Sequence, residues 1–154
     1  MIVRVSQIGP VDAAFEAPPS KSYTHRALIA GALAAGRSRI AGPLRAADTE
    51  LTARGLESLG VPIEWLPGEI VVAGCNGTFP APGEVTIDCG NSGTTLRLLT
   101  SAALLARHPV VLTGSRRMLE RPVGPLAGAL HALGGDVAFT GRPGFPPIRV
   151  SGSL

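Results

Sequence analysis

Hydrophobic and polar positions along the chain change their period several times, and these changes predict alternating helices and strands. Two similar helices are predicted over residues 20–35 and 91–106, because both segments are apolar almost all round after their first turn. One-sided apolar patterns predict amphipathic helices over residues 48–59 and 121–133, each followed by a glycine, Gly60 or Gly134, suited to a left-handed helix end. Short apolar runs predict strands over residues 3–8, 13–17, 38–41, 62–66, 69–73, 84–88, 110–113, 136–140 and 147–151.

The order of these elements repeats once along the chain. The segment that begins at Arg26 aligns with the one that begins at Arg97, and the segment around Gly60 aligns with the one around Gly134. Each copy is predicted to form a β-α-β-α-β-β unit, which indicates an α/β layered fold with buried helices inside a shell of sheets. We expect the units at about residues 18–74 and 84–152, with leading strands within residues 1–17.

Local signals refine where the helices begin. Pro18 and Pro19 disfavour helix before Ser20, which is therefore the predicted N-cap of the first helix. Asp48 is the predicted N-cap of the second helix, and Pro122 suits the first position of the helix predicted over residues 121–133.

Composition narrows the class of protein. The chain has 154 residues, of which 45% are hydrophobic and 16% charged, as in an ordinary folded domain. The longest apolar run, Ala27–Ala35, is too short to span a bilayer, and the N-terminus lacks a signal-peptide pattern. A cytoplasmic protein with no membrane partner is therefore expected. Cys75 and Cys89 show no metal-ligand spacing and no metal site is predicted, while their redox state stays open.

Charge and aromatic content favour a small anionic ligand over a nucleic acid. The formal net charge is +3, thirteen of the fourteen basic residues are arginine, and only 4% of residues are aromatic. A single-strand binder needs interleaved aromatic residues for base stacking, so no nucleic-acid partner is expected.

The segment PPSKSYTHR contains the only lysine of the chain, Lys21, in the first turn of a predicted helix. A cation is disfavoured there by the helix dipole unless an anion is bound. Ser22 and Arg26 lie four residues apart and share a helix face, so an anion could meet free N–H groups and all three side chains. The alternative is a surface lysine that extends into solvent.

Two further segments could bind anions. DCGNSGTTLR, residues 88–97, contains Asn91, Gly93 and Arg97, and its glycines would let a ligand approach the backbone closely. It lacks the spacing of a phosphate-binding P-loop and could be an ordinary helix cap. GSRRMLERPVG, residues 114–124, places Arg121 before a predicted helix, although it could be a solvated basic loop. The internal repeat predicts that these cations converge at strand–helix junctions on one edge of the fold.

These three segments resemble motifs of the 5-enolpyruvylshikimate-3-phosphate synthase family: PSKSYTHRAL, GNSGTTLR and RRMLERPVGPL occur in the order of that family. The resemblance implies the enolpyruvyl transferase fold, an inside-out α/β barrel, with two of six repeat units present. It implies transfer of the enolpyruvyl group of phosphoenolpyruvate to the 5-hydroxyl of shikimate 3-phosphate, with loss of phosphate and without a cofactor, in the shikimate pathway of aromatic amino-acid biosynthesis.

The resemblance also implies roles for single residues. Lys21 would be catalytic and contact both substrates, and Ser22 and Arg26 would hold shikimate 3-phosphate. Asn91, Gly93 and Arg121 would bind phosphoenolpyruvate. Arg97 would have a supporting role or take part in domain closure.

The resemblance leaves the third repeat unit, the second domain and the general acid or base outside these 154 residues. The chain is therefore expected to be an N-terminal portion that binds substrate without turnover, because the missing C-terminal part would be needed for activity. Two alternatives stay open, a UDP-N-acetylglucosamine enolpyruvyl transferase and a module that binds or processes RNA ends.

Overall fold

The computed structural model describes residues 3–4, 9–10 and 12–152. The elements between Lys21 and Ser151 form two consecutive α/β units. The first unit consists of α1 (Lys21–Leu33), β1 (Arg37–Ala41), α2 (Ala47–Ser58), β2 (Ile63–Leu66) and β3 (Glu69–Ala73). The second consists of β4 (Val85–Asp88), α3 (Gly93–Ala103), β5 (Val110–Thr113), α4 (Gly124–Ala132), β6 (Asp136–Phe139) and β7 (Ile148–Ser151). The predicted order of elements from residue 20 onward is confirmed.

The leading segment differs from the prediction. Residues 12–20 are exposed and form neither helix nor strand, so the strand predicted over residues 13–17 is absent. Extended backbone becomes a strand only when a neighbour pairs with it, and neither sheet of the described chain includes these residues. The strand predicted over residues 3–8 lies for the most part outside the described residues.

The two sheets share one topology. In the first unit the order is β1-β3-β2, and both pairings are antiparallel. In the second unit β5, β7 and β6 follow the same order and are also antiparallel, while β4 adds to β5 as a parallel strand. A parallel pair needs a crossover connection, and α3 provides it. The junction between β4 and α3 carries the GNSGTT segment.

The repeat also holds for single side chains. Every buried position of α1 falls on a buried position of α3 when its residue number is raised by 71, the offset between Arg26 and Arg97. These positions are Thr24, His25, Leu28, Gly31 and Ala32 in α1, and Thr95, Leu96, Leu99, Ala102 and Ala103 in α3.

The three helices α1, α2 and α3 pack against one another, with close contact between α2 and α3. At Gly55 of α2 an added Cβ would overlap the side chain of Leu99, so glycine is required for this approach. Leu28, Leu56 and Leu99 contribute one fully buried side chain from each helix to a common core. This core holds the three helices together.

The apolar sequence of α1 predicts that this helix is buried on every side. For the described chain this prediction is wrong. Tyr23, Arg26 and Ala30 form an exposed stripe, and Tyr23 is 73% exposed. The helices and strands that contact α1 cover only its opposite face. None of the helices in the described residues is both long and apolar enough to cross a membrane.

Two helix beginnings differ from the sequence prediction. The N-cap of α2 is Ala46 rather than Asp48, because the Thr49 hydroxyl accepts a hydrogen bond from the Ala46 N–H at 3.0 Å and starts the helix earlier. Helix α4 begins at Gly124 rather than around Pro122, because the N–H groups of Val123 and Gly124 both donate to the Gly144 carbonyl.

Candidate anion-binding site

Helix α1 presents free backbone N–H groups at its N-terminus. Ser20 is its N-cap, as predicted, and its hydroxyl accepts a hydrogen bond from the Tyr23 N–H at 3.4 Å. The N–H groups of Lys21 and Ser22 donate to no acceptor within the part of the chain that the structure describes. They are two of the orphan donors with which a helix N-terminus binds anions.

Helix α3 presents the same arrangement. The Ser92 hydroxyl accepts from the Thr95 N–H at 3.3 Å, while the N–H groups of Gly93 and Thr94 have no acceptor among the described residues. The preceding turn is fixed by Asp88, whose carboxylate accepts from the Gly90 N–H at 2.7 Å. Gly90 has a φ of +54°, which a glycine adopts without strain.

A polar pocket of about 520 Å³ lies between these two helix N-termini. Its walls come from the beginnings of α1, α2 and α3 and from the loop before α4, so the predicted convergence of the three sequence segments is observed. The lining residues are Lys21, Asp48, Asn91, Gly93, Thr94, Arg97 and Arg121.

Lys21 is paired with a carboxylate in this pocket. Its Nζ atom lies 2.8 Å from Oδ2 of Asp48, and the two side chains are 49% and 32% exposed. Asp48 stands in the first turn of α2, where the helix dipole favours a negative charge. The unfavourable position of Lys21 at the start of α1 is therefore partly offset by its neighbour, without a bound ligand.

Arg97 and Arg121 both stand over Gly93. A Cβ added at Gly93 would lie 2.9 Å from Nη1 of Arg121 and 3.0 Å from Nη1 of Arg97. Arg97 donates to the carbonyls of Gly93 and Pro122, each at 3.1 Å, and so ties the loop before α4 to α3. Arg121 forms no ion pair among the described residues.

The pocket has three cationic side chains and one carboxylate, which gives it a formal charge of +2. Guanidinium and ammonium groups with free backbone N–H donors are the groups that bind phosphate and carboxylate oxygens. The arrangement can therefore hold a small ligand with more than one negative charge.

The structure separates some of the predicted residues from this pocket. Ser22 and Arg26 are exposed on α1, one turn apart as predicted, but neither lines the pocket. Arg121 does line it, although it precedes α4 by three residues and does not stand in the first turn of that helix.

Asp48 and Thr94 line the pocket and were not predicted as site residues. Thr94 could have been predicted as a site residue, because it directly follows Gly93 and so lies beside a free backbone N–H group. No sequence signal marked Asp48 as a site residue, because its contact with Lys21 spans 27 residues of sequence.

Neither cysteine takes part in the pocket. Cys75 and Cys89 are not joined to each other. Burial raises the pKa of the Cys89 thiol to about 12, with a smaller contribution from the Asp88 carboxylate. Its thiol is therefore protonated and unreactive at neutral pH.

Comparison with known proteins gives a family match over nearly the whole chain. The family model described as EPSP synthase (3-phosphoshikimate 1-carboxyvinyltransferase) matches residues 5–154. A 3-phosphoshikimate 1-carboxyvinyltransferase of Methanoculleus marisnigri is 88% identical over the whole chain, which spans 36% of that relative. One of Halobacterium salinarum is 49% identical over 138 residues, covering 90% of this chain and 32% of the relative.

Solved structures show the same fold. EPSP synthase from Acinetobacter baumannii matches 90% of this chain with a TM-score of 0.80 at 30% identity, and the match covers 31% of that protein. The enolpyruvyl transferase NikO from Streptomyces tendae matches 85% of this chain and 29% of its own with a TM-score of 0.59 at 23% identity, which indicates a shared fold alone. The chain thus spans about a third of the length of the proteins it matches.

Proposed function

Because this chain belongs to the EPSP synthase family, we propose that its pocket is part of the substrate site for enolpyruvyl transfer from phosphoenolpyruvate to the 5-hydroxyl of shikimate 3-phosphate. The observation that carries the proposal is the convergence of three separate motifs on one pocket with a formal charge of +2 and free N–H groups from two helices. The family match favours these substrates over a UDP-sugar or an RNA end.

The positions of the site residues predicted from the sequence support a role for each of them in this proposal. Arg121 and the free N–H of Gly93 hold phosphoenolpyruvate, and Asn91 lines the same part of the pocket. Lys21, the first residue of α1, lies between this part of the pocket and the exposed face of α1, so it contacts both substrates. Ser22 and Arg26 lie on the adjoining exposed face of α1 and hold shikimate 3-phosphate. Arg97 is committed to two backbone carbonyls and supports the loop that carries Arg121.

The 5-hydroxyl oxygen loses its proton as it bonds to C2 of phosphoenolpyruvate, while the methylene carbon gains a proton. The C2–O bond to the phosphate then breaks, inorganic phosphate leaves, and the methyl group loses a proton to form the carbon–carbon double bond of the enol ether. The cations of the pocket stabilise the phosphate and carboxylate charges through both steps. Proton transfer needs a positioned acid or base, which we place in the two thirds of the enzyme outside this chain. The chain alone therefore binds substrates without turnover.

Titration calorimetry of the chain with phosphoenolpyruvate and with shikimate 3-phosphate tests this proposal. Lys21→Ala should weaken both by roughly 10- to 150-fold, because a hydrogen bond between charged groups contributes about 1.5–3 kcal/mol. Arg37→Ala is the matched control, since it removes one positive charge from β1, outside the pocket. Equal affinity of the Lys21→Ala variant and the parent chain for both ligands would refute the site.

A second measurement tests the claim that the chain lacks turnover. Phosphate release from phosphoenolpyruvate is followed in the presence of shikimate 3-phosphate and the purified chain. Steady phosphate release that depends on both substrates would contradict the assignment of the acid and base to the remainder of the enzyme.

A further inference from the structure

Four buried polar side chains join the beginnings of α1, α2 and α3. His25 Nδ1 lies 2.8 Å from the Thr52 hydroxyl, which lies 2.8 Å from the Thr95 hydroxyl, which lies 2.7 Å from the Ser92 hydroxyl. Each of the four residues is at most 2% exposed. We call these four residues the hydroxyl relay.

The hydrogen bonds of the hydroxyl relay can run in either direction, because each hydroxyl both donates once and accepts. In one direction His25 Nδ1–H donates to Thr52, Thr52 to Thr95, and Thr95 to Ser92. In the other direction Ser92 donates to Thr95, Thr95 to Thr52, and Thr52 to an unprotonated His25 Nδ1. In both, Nε2 of His25 is a buried polar atom that has no partner in the described chain.

The hydroxyl relay adjoins the pocket at Ser92 and at Thr95, although neither residue lines it. Ser92 caps α3 directly before Gly93, and the Thr95 hydroxyl also lies 3.1 Å from the backbone carbonyl of Asp48. Asp48 in turn holds Lys21. The hydroxyl relay therefore connects the part of the pocket around Gly93 with the part around Lys21 through the protein interior.

We propose that the hydroxyl relay is a positioning device that fixes α3, with Asn91 and Gly93, against α1, with Lys21. Hydrophobic packing is non-directional, and the Leu28, Leu56 and Leu99 contacts alone would tolerate small shifts between the helices. Directional hydrogen bonds in a dry interior do not tolerate such shifts. The inference rests on the proposed function, because it takes phosphoenolpyruvate as the ligand that spans both parts of the pocket.

The hydroxyl relay should affect the two substrates unequally. Phosphoenolpyruvate is assigned contacts on both sides, with Lys21 on α1 and with Gly93 on α3. Shikimate 3-phosphate is assigned contacts on α1 alone. Loosening of α3 against α1 should therefore weaken the first ligand and leave the second nearly unchanged, whereas a general loss of folded protein would reduce both alike.

The test uses pairs of substitutions at Thr52 and Thr95. Thr95→Val and Thr52→Val keep the side-chain shape and remove the hydroxyl, while Thr95→Ser and Thr52→Ser keep the hydroxyl. Thr100→Val is the control. Thr100 is fully buried in α3, but among the described residues its hydroxyl bonds only to the Leu96 carbonyl of its own helix. Affinities for phosphoenolpyruvate and shikimate 3-phosphate are measured by calorimetry well below the melting temperature of each variant.

We expect the valine variants at Thr52 and Thr95 to bind phosphoenolpyruvate at least fivefold more weakly and shikimate 3-phosphate within twofold of the parent chain. The serine variants and Thr100→Val should retain parent affinity for both. An equal loss of both ligands, or unchanged phosphoenolpyruvate affinity, would overturn the positioning role while leaving the proposed function intact. If the parent chain binds neither ligand, the proposed function fails and the inference with it. If a valine variant does not fold, the serine variant at the same position is used for the test. The serine variant keeps the hydroxyl, so a loss of phosphoenolpyruvate affinity in it would contradict the proposal.

Discussion

Substitution of Gly93 by alanine should raise the free energy of unfolding and at the same time weaken ligand binding. An added Cβ would lie 2.9 Å from Nη1 of Arg121 and 3.0 Å from Nη1 of Arg97, whereas ordinary contacts begin at 3.4 Å. Both guanidinium groups would have to retreat by about half an ångström. They are the ends of flexible side chains, so the fold accommodates the methyl group, but Arg121 and the Gly93 N–H can no longer meet one anion at the same point.

The magnitude follows from the contacts involved. A charge-assisted hydrogen bond contributes about 1.5–3 kcal/mol, and Arg121 is shifted rather than removed, so we expect the lower end of this range. Phosphoenolpyruvate affinity should therefore fall by about tenfold, since 1.4 kcal/mol corresponds to one decade. The free energy of unfolding should rise by about 0.4–1 kcal/mol, because alanine restricts the unfolded chain and Gly93 has an ordinary helical φ.

Calorimetric titration with phosphoenolpyruvate and urea denaturation of the same variant measure the two effects. Gly128→Ala is the matched control, because Gly128 lies in α4 with open space around its Cβ position. The control should gain stability by a similar amount and keep parent affinity. The reasoning is refuted if Gly93→Ala binds as tightly as the parent chain, or if it loses stability.

Three further changes have defined outcomes. Asp48→Asn raises the formal charge of the pocket to +3 and frees Lys21, so inorganic phosphate should bind a fewfold more tightly at low salt while α2 loses about 0.3–1 kcal/mol of dipole stabilisation. Burial, and to a lesser degree Lys21, lowers the pKa of His25 against an opposing effect of Asp48. The unfolded chain therefore binds the proton more readily, and stability should fall as the pH drops below about 6.5, by at most about 1.4 kcal/mol per pH unit. Gly55→Ala places a methyl group against Leu99 in the core and should cost about 1–3 kcal/mol in urea denaturation.

Each of these changes has an outcome that contradicts it. For Asp48→Asn it is phosphate affinity that does not change in low salt. For the pH effect it is an equal acid slope between pH 5 and 6.5 in His25→Asn and in the parent chain, because the asparagine cannot titrate. For Gly55→Ala it is a midpoint of denaturation equal to that of the parent.

Elements that depend on local signals could be predicted from the sequence. Ser20 caps α1 because two prolines precede it and an apolar helix follows. Gly60 and Gly134 end their helices with φ values of +91° and +92°, which their place after amphipathic segments predicts. The repeat was also visible in the sequence. The offset of 71 that aligns Arg26 with Arg97 also aligns the buried faces of α1 and α3.

Contacts between distant segments could not be predicted in this way. Helix α4 begins at Gly124 because its first N–H groups meet a carbonyl twenty residues later, at Gly144. His25 reads as one polar residue in an apolar helix, and its partner Thr52 lies 27 residues away. The membership of Arg121 and Lys21 in one pocket was predictable from the family motifs, but the carboxylate of Asp48 between α1 and α2 was not.

The ion pair between Lys21 and Asp48 makes the pocket selective among anions. A ligand that takes the ammonium group must compete with a carboxylate already in place, and an exposed pair of this kind contributes about 0.2–1 kcal/mol. A monovalent ion such as chloride offers no more charge than the carboxylate it replaces, so its binding at Lys21 is weakened by roughly one and a half to fivefold. A divalent phosphate ester recovers this cost through Arg121 and the free N–H groups of α3. The resident carboxylate thus favours the proposed polyanionic substrate over common salt ions at Lys21 by up to about fivefold.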